Sequence, residues 1–159
     1  MMIQLLKKEH YPQVSKIYAQ GLATGIATFE TEVPTWEEWE KKFTKKCRFI
    51  ALIGSEVVAW CALNPVSNRA VYCGVAEDTI YVAQKHRGKG IGKRLLKYLV
   101  SESEKEGLWS LQAAIFPENE ASIQLHLDCG FREVGMREKI AQRNGKWFDN
   151  TLLERRASI

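Results

Sequence analysis

The chain has 159 residues, 45% hydrophobic and 26% charged, the composition of one ordinary domain (residues 1–159) that buries a core without disulfide or metal staples; a disordered chain is excluded. A formal net charge of +4, from 23 basic and 19 acidic residues, is too mild to require a nucleic-acid partner. No run of about 18 apolar residues marks a membrane span, and Met1–Lys8 lacks the apolar stretch and cleavage site of a signal peptide, so a cytoplasmic protein without membrane partners is expected.

In chain order, a short strand at Ile3–Leu6 precedes a helix from Tyr11 to Leu22, whose Ile17, Tyr18 and Leu22 share one face. Gly21, Gly25 and Thr28 mark a loop. Thr35 with Glu38 has the spacing of a capping box, opening a helix to about Lys46 with Trp36, Trp39 and Phe43 as its apolar stripe. Arg48–Ile53 and Glu56–Leu63 form strands joined by the Gly54-Ser55 turn, and Asn64-Pro65 ends the second. Val71–Ala83 has the pattern of one long strand, with Gly74 as a possible bulge. A glycine-rich turn leads into a helix to about Glu106. The strand Ser110–Ile115 follows, then a helix over Asn119–Cys129 closed by Gly130. Phe131–Gln142 and Lys146–Arg155 make a hairpin across Arg143-Asn144-Gly145. This order predicts an α/β fold, a mixed sheet flanked by helices. Cys47, Cys61, Cys73 and Cys129 include no C-x-x-C pair and match no zinc spacing, so they read as small buried thiols and no metal site is expected.

The chemistry concentrates at the turn Gln84–Lys93. An apolar strand ends, Gly88, Gly90 and Gly92 follow, and a helix begins with Ile91, Leu95, Leu96, Leu99 and Val100 on one face. A helix N-terminus offers unpaired N–H groups and a partial positive charge, and glycines let a phosphate approach them. Lys85, Arg87, Lys89, Lys93 and Arg94 crowd the same place. A Walker A loop does not fit, because Arg94 stands where Ser or Thr is needed. A dinucleotide fingerprint fails at Lys93 and belongs after the first strand of a βαβ unit.

Arg87-Gly88-Lys89-Gly90-Ile91-Gly92 resembles the signature of the GNAT N-acetyltransferases: Arg or Gln, two variable residues, Gly, one variable residue, then Gly or Ala. Asn119 with Gly130-Phe131 resembles that family's later motif, and the element order agrees over nearly the whole chain. Thr28-Phe29-Glu30-Thr31, Trp36-Glu37-Glu38-Trp39, Pro65-Val66-Ser67, Val75-Ala76-Glu77, Ile80-Tyr81-Val82, Asn119 to Ile123 with Leu125-His126, and Gly145-Lys146-Trp147 with Asp149 resemble its phosphinothricin and methionine sulfone acetyltransferase branch. The resemblance implies the GNAT fold, with its mixed sheet splayed at the acetyl-CoA site. It implies acetyl-CoA as co-substrate, a small amino-acid-like amine as acceptor and a homodimer.

On that resemblance, Ile80, Tyr81 and Val82 hold the pantetheine arm and thioester carbonyl. Arg87, Gly88, Lys89, Gly90, Ile91, Gly92 and Lys93 wrap the pyrophosphate, and Asn119 bonds the arm besides capping its helix. Glu77 is the candidate general base, since a carboxylate in an apolar strand can have a raised pKa; Asp78 should point to the opposite face. His126 stands where much of the family has a Tyr that protonates the leaving thiolate, and a histidine can donate that proton. Phe29, Glu30, Arg69 and Tyr72 resemble the acceptor wall, with Arg69 suited to a carboxylate. Some members have a His after the last hairpin's tryptophan; here Phe148 follows Trp147. The alternatives are a protein or peptide N-terminal acetyltransferase, which needs an open groove, and a non-catalytic acyl-CoA-binding module, which needs no base.

Overall fold

A computed structural model describes residues 1–158. Its elements are β1 (Met2–Leu5), α1 (Tyr11–Leu22), α2 (Trp36–Lys42), β2 (Arg48–Ile53), β3 (Glu56–Pro65), β4 (Val75–Val82), α3 (Ile91–Lys105), β5 (Ser110–Ile115), α4 (Glu120–Leu127), β6 (Arg132–Arg143) and β7 (Lys146–Arg156). One seven-stranded sheet runs in the order β1-β2-β3-β4-β5-β7-β6. Every neighbouring pair is antiparallel except β4 with β5. The predicted mixed sheet and its flanking helices are therefore present.

Side-chain alternation along the strands makes two cores. Leu95, Leu96 and Leu99 of α3 pack with Val58, Cys61, Ala76, Leu111 and Leu153 of the sheet. The other core is aromatic: Tyr11, Tyr18, Trp36, Trp39 and Phe43 pack with Trp60 and Tyr81. Tyr81 stacks on Trp60 at a centroid distance of 4.9 Å. Its ring also fills the space above Gly21, where an added Cβ would lie 2.3 Å from Tyr81 Cε1. Truncating any one of the three fully buried leucines of α3 to Ala should cost about 2–5 kcal/mol.

Local chemistry explains most boundaries. The capping box forms: the Glu38 amide donates to Thr35 Oγ1 at 3.3 Å, and the Thr35 amide donates to Glu38 Oε2 at 2.8 Å. Helix α2 stops at Lys42 instead of Lys46, because Phe43 turns extended and the Thr44 amide donates to the Leu63 carbonyl at 2.8 Å. Asn144 and Gly145 take φ of 51° and 76°, the left-handed pair a two-residue hairpin turn requires. One strand boundary differs more. Residues 70–72 form a short 3-10 turn and β4 begins only at Val75. Gly74 is not a bulge but a packing site: a Cβ there would lie 2.1 Å from the Trp109 ring.

Candidate active site

Strands β4 and β5 pair only at Val75 with Ser110, Ala76 with Leu111 and Glu77 with Gln112. Beyond Glu77 they part, and a cavity of about 1000 Å³ opens between them. The Ala83 amide donates to Val58 O of β3 at 2.9 Å, and Val75 O accepts from Val66 N–H at 3.4 Å. Alternation then aims the main-chain groups of Asp78, Ile80 and Val82 away from β3 and into the gap. Arg87 Nε donates to Val82 O at 3.1 Å, fixing the loop to the strand. Ile80, Tyr81 and Val82 all line the cavity, with the main chain of Tyr81 turned toward β3.

The glycine loop closes one end. Gly88 and Gly90 take φ of 72° and 75°, with no atom of the described residues within 4 Å of either Cβ position. Gly90 is the N-cap of the 15-residue α3 and supplies no capping side chain, so the first amides of that helix remain for a ligand. Gly92 has a different role: its Cβ would lie 3.3 Å from Leu125 Cδ2 and Val82 Cγ2, so its smallness lets α3 approach α4 and β4. Arg87, Gly88, Gly90, Ile91, Gly92 and Lys93 line the cavity, and Lys89 is not among the lining residues. Lys93 is held by Asp128 at 2.8 Å. An unpaired strand edge leading to an uncapped helix with two open glycines fits an extended ligand carrying a diphosphate. Asn119 also lines the gap. Its Oδ1 accepts from the Ser122 amide at 3.3 Å and its Nδ2 donates to Ile26 O at 3.4 Å, so it caps α4 and ties that helix to the loop after α1.

The two carboxylates of β4 face opposite ways, as alternation predicts. Asp78 points toward α4, where its Oδ1 lies 3.1 Å from His126 Nε2. Both side chains are 2% exposed. His126 Nδ1 donates to Ser122 O at 2.7 Å, so both ring nitrogens are engaged. Burial pushes the His126 pKa down, but the charge and hydrogen bond of Asp78, with the bond to Ser122, outweigh it and leave it raised. Asp78 Oδ2 is buried with no partner among the described residues, and Asp78 and His126 both line the cavity.

Glu77 faces the side of α1 and α2, on the cavity wall. Burial raises its pKa above the ordinary carboxylate value; the charge of Asp78 adds to this, and Lys42 and Arg137 oppose it. Phe29 packs on Phe116 and Phe148 at 4.6 and 5.9 Å. Glu30 pairs with Lys42 at 3.2 Å, and Phe29, Glu30 and Lys42 line the cavity. Arg69 and Tyr72 do not line it. They sit at the 3-10 turn before β4, stacked on each other at 5.5 Å, with Tyr72 45% exposed. Tyr72 is expected inside a strand running from Val71 and Arg69 just before it; the turn holds both outside.

Sequence reading missed Arg143. Its Nη1 donates to Thr28 O at 2.8 Å and its Nη2 to Gly25 O at 2.7 Å, while its guanidinium stacks on Phe148 at 4.7 Å. It fastens the loop carrying Phe29 to the last hairpin. The contact spans more than 110 residues, and no local spacing announces it. Cys47, Cys61 and Cys129 are buried with thiols pushed up by desolvation, hence inert; Cys73 is exposed, against expectation.

The sequence profile of the acetyltransferase (GNAT) family matches residues 12–131. A phosphinothricin N-acetyltransferase of Alcaligenes faecalis is 27% identical over 160 residues, covering 96% of this chain and 81% of that protein. An L-methionine sulfoximine/L-methionine sulfone acetyltransferase of Pseudomonas aeruginosa is 38% identical over 81 residues, 51% of this chain and 47% of that one. The crystal structure of a phosphinothricin acetyltransferase from Sinorhizobium meliloti in complex with acetyl-CoA superposes with a TM-score of 0.87 at 27% identity, over 98% of this chain and 87% of that one.

Proposed function

The chain belongs to the acetyltransferase (GNAT) family and is an N-acetyltransferase with acetyl-CoA as co-substrate, and from there we propose that it acetylates the amino group of a small amino-acid-like compound of the phosphinothricin, methionine sulfoximine or methionine sulfone type. The observation that carries this is the cavity itself. One end is the glycine loop, and the wall facing α1 and α2 combines an ionisable Glu77 with the aromatic Phe29 and the charged Glu30 and Lys42. The names of the relatives support the same acceptors.

Glu77 takes a proton from the acceptor ammonium, freeing the nitrogen lone pair for the thioester carbonyl carbon. A raised pKa suits that task near neutrality. Main-chain groups of Ile80 and Val82 align the thioester and polarise its carbonyl. As the C–N bond forms, the nitrogen gives up its second proton to water, the C–S bond breaks and the sulfur leaves as thiolate. We assign the return of a proton to that sulfur to the buried Asp78–His126 pair as a unit, since neither ring nitrogen of His126 is free. Phe29 and Glu30 wall the acceptor. Arg87 through Lys93 and Asn119 hold the co-substrate, Lys89 from outside the cavity. A second copy of the chain completes a homodimer through the final hairpin, where Val134, Met136, Ile140 and Trp147 stand 46–55% exposed on and beside the edge strand β6. The protein works in the cytoplasm, without a metal.

Thiol release from acetyl-CoA, measured across amino acids, simple amines and peptides, tests the acceptor class. Release with methionine sulfone or phosphinothricin is expected; release with peptides alone would assign the protein to N-terminal acetylation instead.

A further inference from the structure

Arg137 lines the cavity from β6, on the same side of the sheet as Glu77. The parity of the strands establishes that side. Leu111, Ala113 and Leu153 bury themselves in the core against α3, so Gln112, Asn150 and Arg137, their out-of-phase neighbours and cross-strand partners, face the other way with Glu77. Arg137 pairs with Asn150 in the last ladder position before a bulge, in which residues 138–140 oppose one residue of β7. Asn150 is 5% exposed, and its Oδ1 accepts from Arg137 Nε at 2.8 Å. This fixes the plane of the guanidinium and leaves its outer fork without a hydrogen bond among the described residues. Arg137 makes no ion pair among the described residues. Its charge nonetheless reaches Glu77, whose carboxyl it pulls down together with Lys42.

We propose that Arg137 is the residue that binds the carboxylate of the acceptor, with Asn150 as its positioning residue. An α-amino acid carries its amine and carboxylate on one carbon. Glu77 for the ammonium and a planar, pre-oriented fork for the carboxylate match that pattern on one cavity wall. Arg69, the expected carboxylate ligand, lies outside. The proposal rests on the small-amine function given above and narrows it to acceptors that carry a carboxylate.

Wild-type protein, Arg137→Leu and Arg137→Lys are assayed by thiol release with acetyl-CoA and two acceptors: methionine sulfone, and the same molecule with its carboxylate replaced by hydrogen. Retention of heat protection by acetyl-CoA verifies that each variant is folded. Wild type should favour the amino acid in kcat/KM by about 10- to 100-fold, the worth of hydrogen bonds to a charged group. Arg137→Leu should collapse that ratio toward one through a higher KM for the amino acid, and Arg137→Lys should keep an intermediate ratio. A wild-type ratio near one, or a ratio unmoved by Arg137→Leu, overturns the proposal while leaving the small-amine function standing. Turnover of neither acceptor by wild type, with peptides acetylated, overturns both.

Discussion

Glu77 is a carboxylate set where a charge is disfavoured, and its raised pKa is the sign of that. Glu77→Gln keeps the shape and removes the proposed base, so kcat should fall by about 10²–10⁴-fold near neutrality with acetyl-CoA binding preserved. A base must be unprotonated to act, so the wild-type rate should fall as pH drops through the raised Glu77 pKa. The deficit of the variant should shrink at high pH, where the amine arrives already deprotonated; full-speed Glu77→Gln would place the base elsewhere. The Asp78–His126 pair makes a separate prediction. A histidine pKa raised by folding contributes stability that is complete below its ordinary value of about 6.5 and is lost as pH rises through the folded value. The melting-temperature advantage of wild type over an Asp78→Asn, His126→Gln double variant should therefore narrow toward alkaline pH, and an advantage that does not narrow would mean the pair is not ionic. The raised pKa of Glu77 was legible because burial in an apolar strand disfavours a charged carboxylate. The partner of His126 was not, since Asp78 lies 48 positions away and only the closing of α4 over β4 unites them.

Among the elements, the loop between β4 and α3 shows how conformation and function share a residue. Gly90→Val would place a side chain at φ 75°, costing about 1–2 kcal/mol of strain, within what a domain with about 5–15 kcal/mol of stability tolerates. The folded variant should lose its thermal response to acetyl-CoA, because the added methyls cover the first amides of α3; a normal response would reduce the loop to a plain turn. Arg143 makes the matching case on the acceptor side. Arg143→Ala removes both bonds to the loop carrying Phe29. Acceptor KM should rise and amide exchange over residues 24–30 should quicken, with acetyl-CoA affinity unchanged; slow exchange in the variant would show that the aromatic packing suffices. Strands and helices with clear periodicity and caps, such as α1 and the last hairpin, were readable to within a residue or two. The stretch before β4 was not, because Val71 and Tyr72 look like strand residues, and only the Trp109 ring against Gly74, from 35 positions away, explains where the strand can begin.

The molecule as a whole should gain stability from its co-substrate by mass action, about 2.7 kcal/mol at a hundredfold excess over Kd. A thermal shift measured with acetyl-CoA checks this, and no shift at saturation would remove the cofactor site. Light scattering should report a dimer, and Trp147→Lys should shift it toward monomer; a monomeric wild type would leave the edge strand β6 to be protected by its own lysine and arginines. Beyond assembly, the alternating sides of β4 separate two kinds of selection. Main-chain groups in the gap, the side proposed for acetyl-CoA, survive side-chain replacement. Side chains on the Glu77 side form the proposed acceptor wall. New acceptor ranges can therefore arise by drift at odd-numbered positions of one strand and their neighbours across β5, β6 and β7, without disturbing the proposed thioester site. Divergence among descendants of this chain should accumulate on that side first.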